Sequence, residues 1–415
     1  MKTEMISDNK AGKIWTKDFI TILISNLFMS MGQFMMNTLV PKYAYQLGAT
    51  ASIVGLVTSA FAVTALALRP VAGPSMDYFK KNRLLSFALG LLTVTFIVYG
   101  FSKSIPMLVV ARLMHGVAMS LSAPLSLAIV CNILPSDKMA SGVGIFALGN
   151  ALATAIGPSV GLKIADLFSY NATFFFCAAL MFTSFLLSFL LKSDNPDRSQ
   201  GFRISLDKII APEALLPAFV IFFLSFAYAS VNSFMAIYGG LNGVKEIGLF
   251  FTVSAIFMIF IRPVSGRIAD KYGHDKSIIP GLIILIAAFI LISLSHTLPM
   301  FLIAGAVTAL GFGTSQPLVQ TMIMQIVPKA RRGAAGNTNY IGTDFAYLIG
   351  PAISGYIITA VQTSTGNEVL GFSIMYRIMV LPVIVALAVF WFNRKKLIGR
   401  IETQKHSPEE ICPAK

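Results

Sequence analysis

The sequence predicts an all-α membrane protein of twelve transmembrane helices arranged as two pseudo-symmetric six-helix bundles. Three observations lead there. The 415 residues are 56% hydrophobic and only 12% charged, with a mean hydropathy of +0.76, whereas charged residues make up about a quarter of an ordinary soluble domain. Apolar runs such as Ile20–Val40, Ala51–Leu68, Leu84–Phe101, Met107–Ile133 and Phe174–Leu191 each approach the ~20 residues needed to cross a hydrocarbon core. The third observation is a repeat. Arg69-Pro-Val-Ala-Gly-Pro-Ser-Met-Asp77 returns as Arg262-Pro-Val-Ser-Gly-Arg-Ile-Ala-Asp270, a shift of 193 residues. The same ungapped shift carries Tyr45 onto Tyr238, Gly55 onto Gly248, Pro106 onto Pro299, Pro124 onto Pro317, Gly149 onto Gly342 and Gly157-Pro158 onto Gly350-Pro351. Glycine and proline are scarce and positionally specific, so the chain reads as two copies of one unit.

Along the chain, residues 1–18 form a polar arm with Trp15 near its end, suited to the headgroup region. Residues 19–192 hold six spans, at 19–41, 51–71, 84–103, 105–133, 140–165 and 172–192. The first is too long for a signal peptide and lacks a small-residue cleavage site, so it reads as a retained helix. Residues 193–212 fall inside the one long polar interior stretch, Lys192–Pro212, and read as a linker between the copies. The second bundle, 213–393, repeats the pattern at 214–238, 246–265, 277–295, 299–326, 333–361 and 371–393, and a charged tail follows over 394–415.

The net charge of +14 invites a nucleic-acid reading, but its distribution opposes one. With the N-terminus cytoplasmic, one side receives Lys2, Lys10, Lys13, Lys17, Lys80, Lys81, Arg83, Lys138, Lys192, Arg198, Arg203, Lys208, Arg267, Lys271, Lys276, Lys329, Arg331, Arg332 and the tail; the other receives little beyond Lys42, Lys103, Lys163 and Lys245. This is the positive-inside pattern, and it predicts a multi-pass plasma-membrane protein with both termini in the cytoplasm. The loops are too short to form a contiguous nucleic-acid surface. Cys131, Cys177 and Cys412 have neither disulfide nor metal spacing, so no metal and no cofactor are expected. A nucleotide-binding Gly-x-x-x-x-Gly-Lys-Ser/Thr loop is absent, which disfavours an ATP-driven pump or an enzyme.

Charges inside spans cost roughly 2.5–3.5 kcal/mol each on insertion scales, so each asks for a reason. Asp344 lies about 16 Å along span eleven from the cytoplasmic side, and Arg112 about 10 Å along span four from the outside. In a core about 30 Å thick these depths agree within a few Å, so the two could pair across a central cavity or exchange charge during a cycle. Burial favours a protonated carboxyl and a nearby cation favours the carboxylate, which makes Asp344 a candidate proton carrier. His115, one turn from Arg112, could join a relay or be a hydrogen-bonded structural histidine. Neutral polar residues form helical stripes: Asn26, Ser30, Gln33 and Asn37 on span one; Ser225, Tyr228 and Asn232 on span seven; Gln316 and Gln320 on span ten; Asn337, Tyr340, Asp344 and Tyr347 on span eleven. Each stripe reads either as cavity lining or as interhelical hydrogen bonding.

The loop after span two and its twin after span eight resemble the signature loop of the major facilitator superfamily, Gly-x-x-x-Asp-(Arg/Lys)-x-Gly-(Arg/Lys). The second copy offers Gly266, Asp270, Lys271 and Gly273, with His274 where a basic residue is usual. The first keeps Gly73, Asp77 and Lys81, with Tyr78 and Lys80 at the intervening positions. The resemblance implies a cytoplasmic gate in which Asp77 faces the start of span eleven near Arg331–Gly336, and Asp270 the start of span five near Lys138–Gly142. It also implies that spans one, four, seven and ten line the central cavity. Span five resembles the exporters' motif Gly-x8-Gly-x3-Gly-Pro-x2-Gly-Gly through Gly144, Gly157-Pro158 and Gly161, with Ala153 and Leu162 departing from it. The kink at Gly157-Pro158 and the motif's glycines are expected to serve packing between the halves, and the kink recurs in span eleven as its twin Gly350-Pro351. Arg112-x-x-x-Gly116 resembles a fourth-span pattern of proton-coupled drug exporters. The function implied is alternating-access secondary transport by a monomer in the lipid bilayer, with proton-coupled export of a small amphipathic or drug-like substrate. Uptake of a polar metabolite, or a lipid-moving or sensor role, are the alternatives.

Overall fold

A computed structural model describes residues 14–135, 138–192, 209–328 and 331–405. Twelve helices long and apolar enough to cross a membrane are present among them, where the apolar runs predict them. In order these are α1 (Lys17–Gln46), α2 (Ala51–Tyr78), α3 (Lys81–Phe101), α4 (Ile105–Ile133), α5 (Met139–Leu167), α6 (Tyr170–Ser188), α7 (Leu215–Leu241), α8 (Gly248–Tyr272), α9 (Asp275–Ser293), α10 (Leu298–Gln325) and α11 (Arg332–Thr365). The twelfth span is two helical segments, α12 (Glu368–Ile378) and α13 (Val380–Lys405). The helix therefore continues well past Arg394, where the sequence shows only a charged tail. In hydrocarbon every backbone polar group must be paired internally, and a helix does this within one segment.

The ends carry the expected chemistry. Thr16, Ser169 and Asn367 each accept a hydrogen bond from a first-turn amide, those of Phe19, Ala172 and Leu370 at 3.2, 3.0 and 3.0 Å. Gly273 ends α8 at φ 98° and Gly366 ends α11 at φ 69°, a left-handed backbone that a residue with a Cβ adopts only under strain. Prolines sit inside the spans at Pro41, Pro70, Pro74, Pro124, Pro158, Pro263, Pro280, Pro317 and Pro351. A membrane helix tolerates them because neighbouring helices and hydroxyls take up the freed carbonyls.

Packing repeats with the sequence. In the first half α1 packs on α5 and α6, α3 on α4 and α6, and α2 on α4; in the second α7 packs on α11 and α13, α9 on α10 and α13, and α8 on α10. The halves meet along α2–α11 and α5–α8, two interfaces that the shift of 193 residues converts into one another. Even-numbered traversal brings residues 14 and 405 to the same side, and it is at the opposite end that the halves are stitched together. There the Ser52 amide donates to Thr359 Oγ1 (3.0 Å), its hydroxyl donates to the same oxygen (2.9 Å), and Tyr45 donates to Glu368 Oε1 (2.7 Å). In the twin interface Ser159 donates to the Gly248 carbonyl (2.5 Å) beside Thr252. A further contact between the halves, the ion pair Arg69–Asp344, lies near mid-depth. The molecule is sealed at the end away from its termini.

Candidate functional site

Asp344 lies on the inner face of α11, 8% exposed. Its partner is Arg69 of α2, whose Nε donates to Oδ2 at 2.7 Å. The Arg69 guanidinium also stacks over the Tyr340 ring, 4.6 Å from its centroid and one turn before Asp344. The cation that meets Asp344 is thus not Arg112. Depth along a helix is readable from residue counts, but the azimuth of α4 is not, and Arg112 turns into its own half. There, 1% exposed, it donates from Nη2 to the Met36 carbonyl of α1 at 3.1 Å, while its Nε has no hydrogen-bond partner. His115 is fully buried between the edges of Phe61 and Phe96, at 5.2 and 5.1 Å, with Tyr99 Oη 3.5 Å from Nδ1. The structure does not bring His115 to Asp344. Gly116 serves contact between helices: a Cβ there would strike the Phe61 carbonyl and the Thr64 hydroxyl of α2, and Thr64 Oγ1 donates across the gap to Leu113 O at 2.7 Å.

The span-one stripe divides. Asn26 and Ser30 both donate to Asn150 Oδ1 of α5, at 3.0 and 2.5 Å, so their bonds fasten α1 to α5 rather than reach across the molecule. Gln33 donates to Asn37 at 3.2 Å along the same helix, and both are half-buried. On α7, Tyr228 stacks flat on Phe312 of α10 at 3.8 Å, and Asn232 donates to Tyr347 Oη of α11 at 2.8 Å. Gln316 and Gln320 are half-buried on α10, and Tyr340 is exposed. Arg262, the repeat twin of Arg69, lies on α8 with Nη2 3.4 Å from Met258 Sδ.

The expected gate loops are only partly visible. Gly73 and Asp77 belong to α2, with side chains outside the described set, and Lys81 opens α3. Asp270 and Lys271 are exposed; Lys271 lies over the Tyr272 ring at 5.0 Å, and Asp270 makes no hydrogen bond or ion pair among the described residues. Gly266 faces open space rather than a neighbouring helix. The span-five glycines differ from expectation. A Cβ at Gly157 would approach Phe34 Cβ at 3.2 Å, and one at Gly161 would approach Leu39 Cδ1 at 3.0 Å, both on α1. They pack within one half, as Gly350 does against Phe226 of α7 at 2.8 Å. The inter-half approach falls instead to Gly55, whose Cβ would strike the Pro351 carbonyl, and to Gly355, whose Cβ would strike that of Ala51.

The family model of the Major Facilitator Superfamily matches residues 22–245 and again 217–410. The chain belongs to this superfamily. This transporter is 25% identical over 348 residues to multidrug resistance protein 1 of Bacillus subtilis, covering 81% of this chain and 89% of that one. It is 24% identical to the staphylopine export protein of Staphylococcus aureus over 391 residues, 91% and 96% of the two chains. Among solved structures its fold is similar to the nucleoside transporter NupG (TM-score 0.76, 15% identity, 90% and 98% covered). It is also similar to an inward-facing bacterial homolog of the human lysosomal transporter Spinster (TM-score 0.75, 13%, 94% and 98%).

Sequence reasoning left Arg69 out of the site although the residue was in view as a repeat marker. The signal was its place: Arg69 stands eight residues before Asp77, inside the apolar span, and recurs there as Arg262. A groove of about 420 Å³ lined by Pro212, Glu213, Leu215, Phe219, Lys396 and Arg400 lies at the terminus-bearing end, remote from Asp344 and apart from the polar interior.

Proposed function

We propose that this transporter is a proton-coupled exporter of small amphipathic molecules in the plasma membrane, with both termini cytoplasmic, and that Asp344 carries the proton. The observation behind this reading is that the Arg69–Asp344 pair joins helices of different halves near mid-depth. Alternating access requires the halves to rock against each other, so the pair must loosen or re-form once per cycle. With Asp344 ionised, the charge-assisted bond holds α2 to α11. Protonation removes the negative charge, leaves Arg69 with the Tyr340 ring, and weakens the clasp in the low-dielectric interior where its Coulomb attraction is strongest. Protonation state and conformation are then linked through one contact.

The positive-inside charge pattern puts the sealed end outward, so the conformation reads as inward-facing. Gln33, Asn37, Tyr228, Asn232, Gln316 and Gln320 are then the residues proposed to meet substrate, with Asp77 and Asp270 gating the cytoplasmic side once it closes. The export direction draws support from the names of two relatives, a multidrug resistance protein and an export protein.

The test is substrate-driven proton movement in proteoliposomes, wild type against Asp344→Asn. Coupled proton flux is expected to vanish in the variant while exchange without net proton movement survives. Coupling that persists in Asp344→Asn removes the proton-carrier assignment, and inward accumulation driven by the gradient in the wild type replaces export with uptake.

A further inference from the structure

Arg69 and Arg262 are the same residue of the two copies, yet they stand in different company. Arg69 has the Asp344 carboxylate at 2.7 Å and the Tyr340 ring at 4.6 Å. The 193-residue shift places Ala151 at the position of Asp344 and Ala147 at that of Tyr340. The helix that faces α8 as α11 faces α2 is α5, and at both twin positions α5 carries alanine, with neither a carboxylate nor a ring. What Arg262 has instead is the thioether of Met258 at 3.4 Å, a weak acceptor.

The position is deep. Arg262 is fourteen residues from Gly248 and ten from Tyr272, the two ends of α8, or roughly 21 and 15 Å along the axis. An ionisable residue at such a depth, on the face of α8 that also carries the buried Met258 and Ser265, is by default part of a substrate or ion path. Charge bookkeeping points the same way. Arg69 and Asp344 cancel; Arg112 and Arg262 stay positive, and among the described residues no carboxylate answers them. Arg112 is 1% exposed and closed to a ligand, whereas Arg262 is accessible. Its planar guanidinium matches a carboxylate bidentately. Next to it in the packing, Gly313 of α10 abuts Met258 and Ile261 of α8, and the adjoining Phe312, 7% exposed, backs the half-buried Tyr228 ring.

We propose that Arg262 anchors an anionic group of the transported molecule, so that the substrates are carboxylate-bearing amphipathic compounds rather than cations, with the half-buried Tyr228 ring taking their apolar part. The proposal rests on the exporter reading and narrows its substrate class.

The probes are fluorescein, an aromatic carboxylate dye without positive charge, and ethidium, a fixed cation. Binding to the purified full-length protein is followed by fluorescence anisotropy. Saturable fluorescein binding is expected, weakened at least tenfold by Arg262→Ala and kept within about threefold by Arg262→Lys, with ethidium bound more weakly than fluorescein. Should Arg262→Ala elute as aggregate, Arg262→Gln takes its place. Absent fluorescein saturation, an unchanged affinity in the neutral variant, or tighter binding of ethidium each overturns the anion site. Dye movement in energised inside-out vesicles separates this from the exporter reading. Fluorescein that binds through Arg262 but is not accumulated removes export and leaves the anion site. Ethidium accumulated without fluorescein binding does the reverse.

Discussion

Arg69 and Asp344 show how much hangs on one contact. Their side chains are 12% and 10% exposed, so each relies on the other to offset the cost of leaving water. Removing one partner leaves an uncompensated buried charge, a loss of about 3–5 kcal/mol, while replacing both is far milder. Arg69→Met and Asp344→Leu are each expected to lower the midpoint of thermal unfolding sharply, and the double variant to recover most of it. Equal, additive losses in a double-mutant cycle would mean that the two side chains do not interact. The cost of an intramembrane charge marks Asp344 in the sequence, whereas Arg69 stood out only as a marker of the repeat. Their pairing was hidden, because residue counting gives the depth of Asp344 and Arg112 but not the helix face each presents. The stripe Asn26–Ser30–Gln33–Asn37 has the same limit. A helical period identifies a face, and only the neighbour across that face, Asn150 for its first two members, decides what the face does.

Among the elements, α2 and α11 carry the closest approach between halves. At Gly55 and Gly355 the facing backbone carbonyls, Pro351 O and Ala51 O, occupy the space a Cβ needs. Small residues permit such contact in membranes, where packing rather than hydrophobicity drives association. Gly55→Leu and Gly355→Leu are expected to part this seam while sparing the fold of each half. With Cys131, Cys177 and Cys412 replaced by serine, the thiol of Ala49→Cys, at a position 4% exposed at the sealed end, should then label faster with a membrane-impermeant maleimide. Labelling rates unchanged in both variants would show that the seal does not depend on this approach. The recurrence of Gly-Pro in spans five and eleven is plain in the sequence, but which neighbour it serves is not. Gly157 and Gly350 face α1 and α7 within their own halves, and the inter-half role belongs to the helix surface next to them.

For the molecule as a whole, two interfaces related by the internal repeat meet at one end, and transport requires that end to open. Ser52 Oγ and Thr359 Oγ1 are 2.9 Å apart across the first of them. In a chain whose Cys131, Cys177 and Cys412 are replaced by serine, Ser52→Cys with Thr359→Cys is expected to form a disulfide under mild oxidation. Substrate movement should stop by at least tenfold and return on reduction. Oxidised protein that cross-links fully yet transports at the wild-type rate would mean that the seal is not part of the cycle.

What the sequence determined by itself was everything that follows from local chemistry. Apolar length sets the twelve spans, the scarcity and placement of glycine and proline reveal the duplication, and the cost of intramembrane charge singles out Asp344 and Arg112. What only the tertiary structure decided was partnership across space. Arg69 rather than Arg112 meets Asp344, and Arg262 meets the Met258 thioether where its twin has a carboxylate and a ring. The physical reason is that spans are helices locked in by the bilayer whatever their neighbours, so they form from sequence alone. Their rotations, which decide what each buried charge meets, are set by packing among twelve of them at once.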